Sequence, residues 1–171
     1  RSSMKNFRCK CGNGIFFENT RCLACDRDLS WCPACGAMTA LERGDNGAFR
    51  CANEACGAHL QKCHNYAVEN VCNRSLVVLP EPEGARAFCD YCRFNDTIPD
   101  LSVPGNREMW ARLETAKRRL LYTLDLMRLP YGAKEDGVEP PLAFDFKADV
   151  APTRRGWWSI NRVERVYTGH A

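Results

Sequence analysis

The sequence predicts a small α+β protein stabilised by metal ions, with a cysteine-rich region followed by one long amphipathic helix and a short β-sheet. Three observations lead to this fold class. All twelve cysteines of the 171-residue chain lie between Cys9 and Cys92. Residues 101–130 carry apolar side chains at helical spacing, and short alternating segments follow residue 141. The break in composition after Cys92 predicts two domains, residues 4–95 and 96–171.

The cysteine content indicates the class of chemistry. No apolar run reaches the ~20 residues of a membrane-spanning helix, and no secretory signal pattern precedes the first cysteine. We therefore predict a cytoplasmic protein with no membrane partner. Because the cytosol keeps thiols reduced, close cysteine pairs there usually bind metal rather than form disulfides. Closed sites of four cysteines are typical of structural zinc, so we predict zinc as the cofactor, with three structural ions.

The spacing of the cysteines favours three sites formed in chain order. A short Cys-x-x-Cys turn supplies two sulfur atoms to one ion, and a second turn must return after a loop to complete the tetrahedron. Only six residues separate Cys25 from Cys32, which leaves little room for the chain to reverse between them. The three predicted ligand sets are Cys9, Cys11, Cys22 and Cys25; Cys32, Cys35, Cys51 and Cys56; and Cys63, Cys72, Cys89 and Cys92.

The ligands and the metal of these sites are not fixed by spacing alone. Eight residues separate Cys63 from Cys72, so the third set has the weakest pattern. His59 and His64 lie near predicted ligands and could replace a cysteine, although surface or hydrogen-bonding roles are more common. The cysteines could also be free thiols, form disulfides or bind iron. Four thiolates leave no position for water or substrate, so the predicted zinc is structural rather than catalytic.

The residues around the cysteines predict zinc ribbons. Glycines follow three of the cysteines, Cys11, Cys35 and Cys56. A metal-binding turn often requires a positive φ at such a position, which glycine adopts at little cost. Residues 15–17 form a β-prone run before a turn at 18–20, and 45–47 predict a hairpin turn. Units of this size bury little apolar surface, so we expect residues 4–95 to unfold when metal is removed.

The segment from residue 101 to 130 contains the clearest helix signal. Pro104 and Gly105 break the preceding segment, Asn106 is a candidate cap, and Pro130 ends the pattern. The predicted buried face consists of Trp110, Leu113, Leu120, Leu121, Leu124 and Met127. The basic residues predicted to face elsewhere are Arg112, Lys117, Arg118 and Arg119. Because acidic residues are interspersed, we interpret these basic residues as a solvated face.

Strand signals follow the helix. After a connection over 131–141, residues 142–146 alternate as a strand, and 157–160 and 162–167 predict further strands. One helix and two or three strands make a small core for residues 96–171. The chain ends at TGHA directly after the last predicted strand. We therefore expect a truncated chain, the N-terminal part of a longer protein.

Several long strings resemble the N-terminal portion of the putative zinc-binding metallopeptidases, a bacterial family in which a zinc-ribbon region precedes a zincin-like domain. The strings are FRCKCGNGIFFENTRCLACDRDLSWCPACG, KCHNYAVENVCN, NDTIPDLSVPGNREMWARLETAKRRLLYTL, LAFDFKAD and TGHA. The resemblance extends from Met4 to Ala171. It implies that the ribbons precede a peptidase domain whose first helix and strands are residues 106–171.

The resemblance also implies a catalytic His-Glu-x-x-His helix further downstream, in which two histidines hold zinc and the glutamate activates water. The histidines of this chain are His59, His64 and His170, and no two of them have that spacing. We therefore predict no catalytic residue and no enzyme activity for this chain. The full-length parent is predicted to be a zinc metallopeptidase.

Two functions follow as hypotheses. In the first, the ribbons are a rigid structural or recognition module that presents a protein or peptide substrate to the missing C-terminal catalytic domain. In the second, the chain is a stand-alone zinc-ribbon adaptor or nucleic-acid-binding protein, with Trp157 and Trp158 stacking on bases. Twelve thiolates and three Zn²⁺ would change the formal charge from +3 to about −3, which disfavours nucleic acid. A redox sensor ranks last, because no βαβ unit surrounds the cysteine pairs.

Overall fold

The computed structural model describes residues 6–44, 48–78 and 86–148, and the backbone of 158–160. The chain divides into two compact units, Arg1–Cys89 and Asp90–Ala171. Short β-sheets and one long helix confirm the predicted α+β class. The domain boundary predicted at residues 95 and 96 stays a prediction. No helix within the described ranges has the length and apolar character that crossing a membrane requires.

Short antiparallel strands form most of the regular secondary structure in the described part of the first unit. A two-stranded sheet pairs β1 (Phe7–Arg8) with β2 (Gly14–Ile15). A five-stranded sheet follows, in which every strand pairs with its neighbour in the chain. Its strands are β3 (Leu29–Cys32), β4 (Ala37–Arg43), β5 (Phe49–Cys51), β6 (His59–Lys62) and β7 (Ser75–Val77). The hairpin turn predicted at 45–47 lies outside the described residues, but the flanking strands β4 and β5 pair as a hairpin requires.

The first and last strands of the five-stranded sheet are also linked to each other. The Trp31 N–H donates to the Asn73 carbonyl over 2.9 Å, and Trp31 forms a parallel bridge with Arg74 immediately before β7. The hydroxyls of Ser30 and Ser75 share a hydrogen bond of 2.7 Å. These contacts cover the outer edges of β3 and β7, which would otherwise present unpaired backbone groups.

Two packing centres can be identified among the described residues of the first unit. One cluster of buried residues consists of Cys32, Leu41, Cys51 and Leu60, so half of its members are cysteines. A second packing centre is Trp31, which meets Phe7 and Phe17 edge-on at 5.9 and 5.7 Å. Small units built from short strands gain less from apolar burial than large domains do, so metal binding would add to the stability of this unit.

The second unit combines one helix with a three-stranded sheet. The helix α2 spans Asn106–Met127, and a shorter helix in the first unit, α1, spans His64–Ala67. The sheet has the order β10-β9-β8, with β9 parallel to β8 and antiparallel to β10. Its strands are β8 (Asn95–Thr97), β9 (Phe144–Ala148) and β10 (Trp158–Ile160). Single turns of 3₁₀ helix occupy Cys92–Phe94 and Lys134–Asp136.

The ends of α2 and of the later strands lie close to their predicted positions. Gly105, with a φ of +88°, precedes the helix, and Asn106 is its first residue rather than its cap. The Asn106 side chain instead donates to the Asp100 carbonyl over 2.7 Å. The strand predicted at 142–146 starts two residues later, and the strand predicted at 162–167 lies outside the described residues.

The buried face of α2 differs from the predicted one. Trp110 and Leu121 are buried as predicted, but Leu120 and Met127 are 47% and 62% exposed. The charged residues buried on this helix are Glu114, Lys117 and Arg118. The prediction that Lys117 and Arg118 belong to a solvated face is therefore wrong, whereas Arg112 and Arg119 are exposed as predicted.

A hydrogen-bonded cluster explains how Lys117 can be buried. Its Nζ lies 2.8 Å from Glu114 Oε2 and also donates to Asn95 Oδ1. Asn95 Nδ2 donates to Glu114 Oε1 over 2.6 Å, and Trp110 Nε1 donates to the same oxygen over 3.1 Å. The Nζ also lies 5.6 Å from the centroid of the Phe144 ring. A buried charge requires such partners, and the cluster thereby attaches α2 to β8 and β9.

Candidate metal centres

The structure brings the twelve cysteines together in three groups of four. Within each group the four Sγ atoms lie within 4.8 Å of one another. The groups are Cys9, Cys11, Cys22 and Cys25; Cys32, Cys35, Cys51 and Cys56; and Cys63, Cys72, Cys89 and Cys92. The grouping coincides with the chain-order sets, and the cysteines of residues 22–36 are divided between two groups. That each individual sulfur is a metal ligand stays a prediction.

The distances between sulfur atoms fit a tetrahedral zinc ion. With Zn–S bonds of about 2.3 Å, two sulfur atoms on one ion lie about 3.8 Å apart. The Sγ–Sγ distances are 3.6 Å for Cys9–Cys25 and Cys11–Cys22, 3.8 Å for Cys32–Cys56 and Cys72–Cys89, and 3.9 Å for Cys35–Cys51. A disulfide would require about 2.05 Å, and none of the twelve cysteines is in a disulfide. The donor set and its spacing therefore suit zinc.

The first group is assembled from two tight turns. In the first turn the Cys9 N–H donates to the Asn13 carbonyl and the Gly12 N–H to the Cys9 carbonyl, over 2.9 and 2.8 Å. In the second turn the Asp26 N–H donates to the Cys22 carbonyl over 2.8 Å. The N–H of Arg27 bonds the Cys25 sulfur and lowers the pKa of that thiol. A backbone donor of this kind favours the thiolate form that zinc requires.

A left-handed residue follows the second cysteine in four of the six half-sites. Three are the glycines of the sequence prediction, Gly12, Gly36 and Gly57, with φ of +88°, +62° and +55°. The fourth is Asp26, with φ of +62°, which the glycine pattern missed. Aspartate tolerates this conformation better than most residues, and its carboxylate pairs with Arg21. Its position after Cys22-x-x-Cys25 is the signal that could have identified it.

The second group is built at the ends of strands. Cys32 ends β3 and Cys51 ends β5, whereas Cys35 and Cys56 lie in the turns that follow these strands. The N–H of Ala58 lowers the pKa of the Cys56 thiol. Burial raises the pKa values of Cys32 and Cys51, because a low-dielectric surrounding disfavours an isolated thiolate. A bound Zn²⁺ would supply the positive charge that these two buried sulfur atoms need as thiolates.

The third group owes its geometry to the hairpin of β6 and β7 rather than to a short knuckle. The Cys63 N–H donates to the Arg74 carbonyl over 3.0 Å, which returns the chain after Cys72 to the end of β6. The Cys89 N–H donates to Cys63 Sγ over 3.4 Å. All four cysteines of this group are buried. The wide spacing of Cys63 and Cys72 therefore does not prevent a compact four-sulfur group.

The two histidines near these sites belong to none of the three groups. His59 is exposed on β6. The ring of His64, at the start of α1, meets the Phe88 ring edge-on at 5.6 Å, and its backbone N–H donates to the Ala87 carbonyl over 2.8 Å. Among the described residues, the candidate metal groups consist of cysteines alone.

The three groups differ in their access to solvent. In the first, Cys11 is exposed and Cys25 is half-buried. In the second, Cys35 and Cys56 are half-buried, and in the third every cysteine is buried. An ion in the first group would therefore be the most accessible to chelators or oxidants.

An open polar groove of about 530 Å³ lies beside the first two groups. Its lining residues are Arg21, Asp26, Arg27, Asp28, Leu41, Glu42, Arg43 and Phe49. Its carboxylates have cationic partners: Asp26 pairs with Arg21, Asp28 with Lys62 over 2.7 Å, and Glu42 with Lys10. The mixture of paired charges is typical of a solvated surface and lacks the uniform positive field of a nucleic-acid interface.

Comparisons with known proteins address both halves of the chain. A zinc-ribbon domain model matches residues 6–103, and a family described as putative zinc-binding metallo-peptidase matches residues 106–171. Uncharacterized proteins of Mycobacterium bovis and of two Mycobacterium tuberculosis strains are each 31% identical over 144 residues. The match covers 82% of this chain and 36% of each relative, so the chain spans about a third of their length. No solved structure matches the chain. The zinc-ribbon match and the three cysteine groups confirm zinc as the predicted cofactor.

Proposed function

We propose that this chain, whose residues 6–103 match a zinc-ribbon domain and whose residues 106–171 match the putative zinc-binding metallo-peptidase family, is the N-terminal zinc-binding module of a longer metallopeptidase. In this proposal its three zinc ions have a structural role. The observation that carries the proposal is the arrangement of twelve cysteines, none in a disulfide, as three groups of four with the dimensions of a zinc tetrahedron.

The donor set supports a structural rather than a catalytic role. A catalytic zinc keeps one position for water or substrate, whereas four thiolates close the coordination shell. Each ion would link segments distant in the chain, such as Cys9 with Cys25 and Cys32 with Cys56. Structural zinc of this kind contributes on the order of 10 kcal/mol to folding in model peptides. That is large compared with what the small apolar cluster around Leu41 and Leu60 can supply.

The peptidase chemistry belongs, in this proposal, to the part of the parent that follows residue 171. The 171 residues contain no His-Glu-x-x-His motif, and each relative extends well beyond the matched region. The ribbon unit would then hold or recognise a protein or peptide substrate for that catalytic part. No described feature favours nucleic acid: Lys117 and Arg118 of the candidate basic face are buried, and the groove beside the zinc groups carries paired charges.

The structural role can be tested through metal content and stability. We expect three zinc ions per chain by elemental analysis of protein purified without added zinc. Cys22→Ser should remove one ion and destabilise the first unit, because it deletes a buried ligand. Leu23→Ser is the matched control, since Leu23 lies in the same turn and is 96% exposed. Full zinc content and unchanged stability in Cys22→Ser would contradict the proposal.

The link to peptidase activity needs the full-length parent. The downstream sequence should encode a His-Glu-x-x-His helix, and the purified parent should cleave an unstructured protein substrate such as casein in a zinc-dependent manner. Replacing the glutamate of that motif should abolish cleavage while leaving the three structural ions in place. A parent without such a helix would refute the peptidase part and leave the structural zinc argument intact.

A further inference from the structure

One side of α2 carries a continuous apolar stripe. Its residues follow one another at intervals of three or four, which places them on one side of a helix with 3.6 residues per turn. They are Met109, Leu113, Ala116, Leu120, Leu124 and Met127. We refer to them as the α2 stripe.

The α2 stripe is separate from the side of the helix that packs on the sheet. The buried side includes Trp110, Lys117 and Leu121, and its centre lies about 100° around the helix axis from the stripe. Within the stripe Leu120 is 47% and Met127 62% exposed, and Ala116 is exposed as well. Met109, Leu113 and Leu124 are half-buried.

This distribution departs from that of an ordinary amphipathic helix. A surface helix normally buries its apolar side and exposes its charges. Here the buried side contains the ion pair of Glu114 and Lys117, whose side chains are both fully buried, and apolar side chains face outward. Contiguous exposed apolar residues usually mark a surface that another element covers.

We propose that the α2 stripe is a docking surface for the remainder of the metallopeptidase domain, the part of the parent that follows this chain. The helix opens the segment that matches the metallo-peptidase family, residues 106–171. The matched region covers only 36% of each curated relative, so most of each relative lies outside it. The first helix of a domain packs against later elements of that domain, so the occupant is intramolecular. The inference rests on the proposed function.

Hydrogen exchange compares the stripe in two settings. We expect backbone amides of residues 113–127 to exchange at least about tenfold more slowly in the full-length parent than in the 171-residue chain, because covered helices open less often. Equal exchange in the two proteins would overturn the proposal.

Three variants test whether the contact with the rest of the parent lies on the α2 stripe rather than elsewhere on the helix. Leu120→Glu and Met127→Glu should each lower the melting temperature of the parent by about 5 °C or more, and change that of the 171-residue chain little. Leu126→Glu is the matched control, since Leu126 is 42% exposed and lies about 120° around the helix from Leu120. Equal effects of all three variants, or equal effects in both proteins, would refute the assignment.

A second copy of this chain is the competing occupant of the stripe. Light scattering of the 171-residue chain should show a monomer for the native sequence and for Leu120→Glu. A dimer that Leu120→Glu dissociates would overturn the intramolecular assignment. A parent gene that ends at residue 171 would also overturn the intramolecular assignment. The zinc content and the cleavage assay test the proposed function by itself, so its failure and that of the docking surface are distinguishable.

Discussion

Replacing Lys117 by methionine tests the buried cluster that attaches α2 to the sheet. Methionine keeps most of the length of the lysine side chain but removes the cation, so the Glu114 carboxylate loses its charged partner. That carboxylate retains the N–H donors of Asn95 and Trp110, at 2.6 and 3.1 Å. It has no access to solvent that could replace the ammonium group.

The expected cost follows from this geometry. Breaking a buried ion pair by removing one partner typically destabilises by about 3 to 5 kcal/mol. The two remaining donors favour the lower end of that range, about 3 kcal/mol. The double variant Glu114→Gln with Lys117→Met leaves no buried charge, and the glutamine oxygen still accepts from Trp110. We therefore expect the double variant to recover most of the loss, to within about 1.5 kcal/mol of the native protein.

The assay is urea unfolding in the presence of zinc, followed by far-UV circular dichroism. The helical signal reports the second unit, because α2 is its 22-residue helix. With a slope of about 1 to 3 kcal/mol per molar urea, a loss of about 3 kcal/mol lowers the midpoint by about 1 to 3 M. Lys134→Met is the matched control: Lys134 is exposed, so its change should stay within about 0.5 kcal/mol.

Two results would refute this reasoning. If Lys117→Met leaves the midpoint unchanged, the ion pair is not the partner that keeps the buried carboxylate stable. If the double variant is as unstable as the single one, the loss comes from side-chain packing against Phe144 and Phe146 rather than from the unpaired charge.

Three further predictions concern the zinc turns and an exposed ion pair. A chelator should remove zinc in separate kinetic phases, which a colorimetric zinc indicator can follow. Cys11→Ser should eliminate the fastest phase, because the first group is the most exposed. Gly36→Ala should destabilise by about 1 kcal/mol in thermal unfolding through its left-handed φ alone, since an added Cβ meets nothing within 4 Å. Arg93 and the Ala133 N–H lower the pKa of Asp136 to about 2. The charged carboxylate therefore contributes fully to the stability of the fold above pH about 4, and this contribution is lost as the pH falls towards 2. Asp136→Asn should flatten this part of the profile of melting temperature against pH.

Local spacing predicted the cysteine-rich unit well because its determinants are local. Two cysteines in one short turn share an ion wherever the turn lies, and the glycines after Cys11, Cys35 and Cys56 have the positive φ that the turn requires. The third group shows the limit of that reasoning. Cys63 and Cys72 approach one another through backbone pairing of β6 with β7, and the spacing of the two cysteines does not encode that pairing.

Periodicity predicted the length of α2 but not the side that it buries. The apolar residues of the sequence follow the helical repeat, yet only some of them meet the sheet. Which side packs is decided by Asn95 on β8 and by the aromatic rings of β9, which are distant in sequence from Glu114 and Lys117. A single-sequence pattern contains no information about such partners, so the charged residues at 114, 117 and 118 indicated a solvated face.

The interiors of the two units differ, and this difference bears on the proposed function. In the first unit half of one core cluster is cysteine, so under the proposed structural role its fold would depend on an ion that the chain can lose. In the second unit the interior contains an ion pair, and apolar residues of α2 remain outside it. A ribbon unit fixed by metal, combined with a helix that exposes an apolar stripe, is expected of a module whose partner surface lies elsewhere in the same protein. The stripe, rather than the closed zinc sites, is then where the chain would meet the catalytic part.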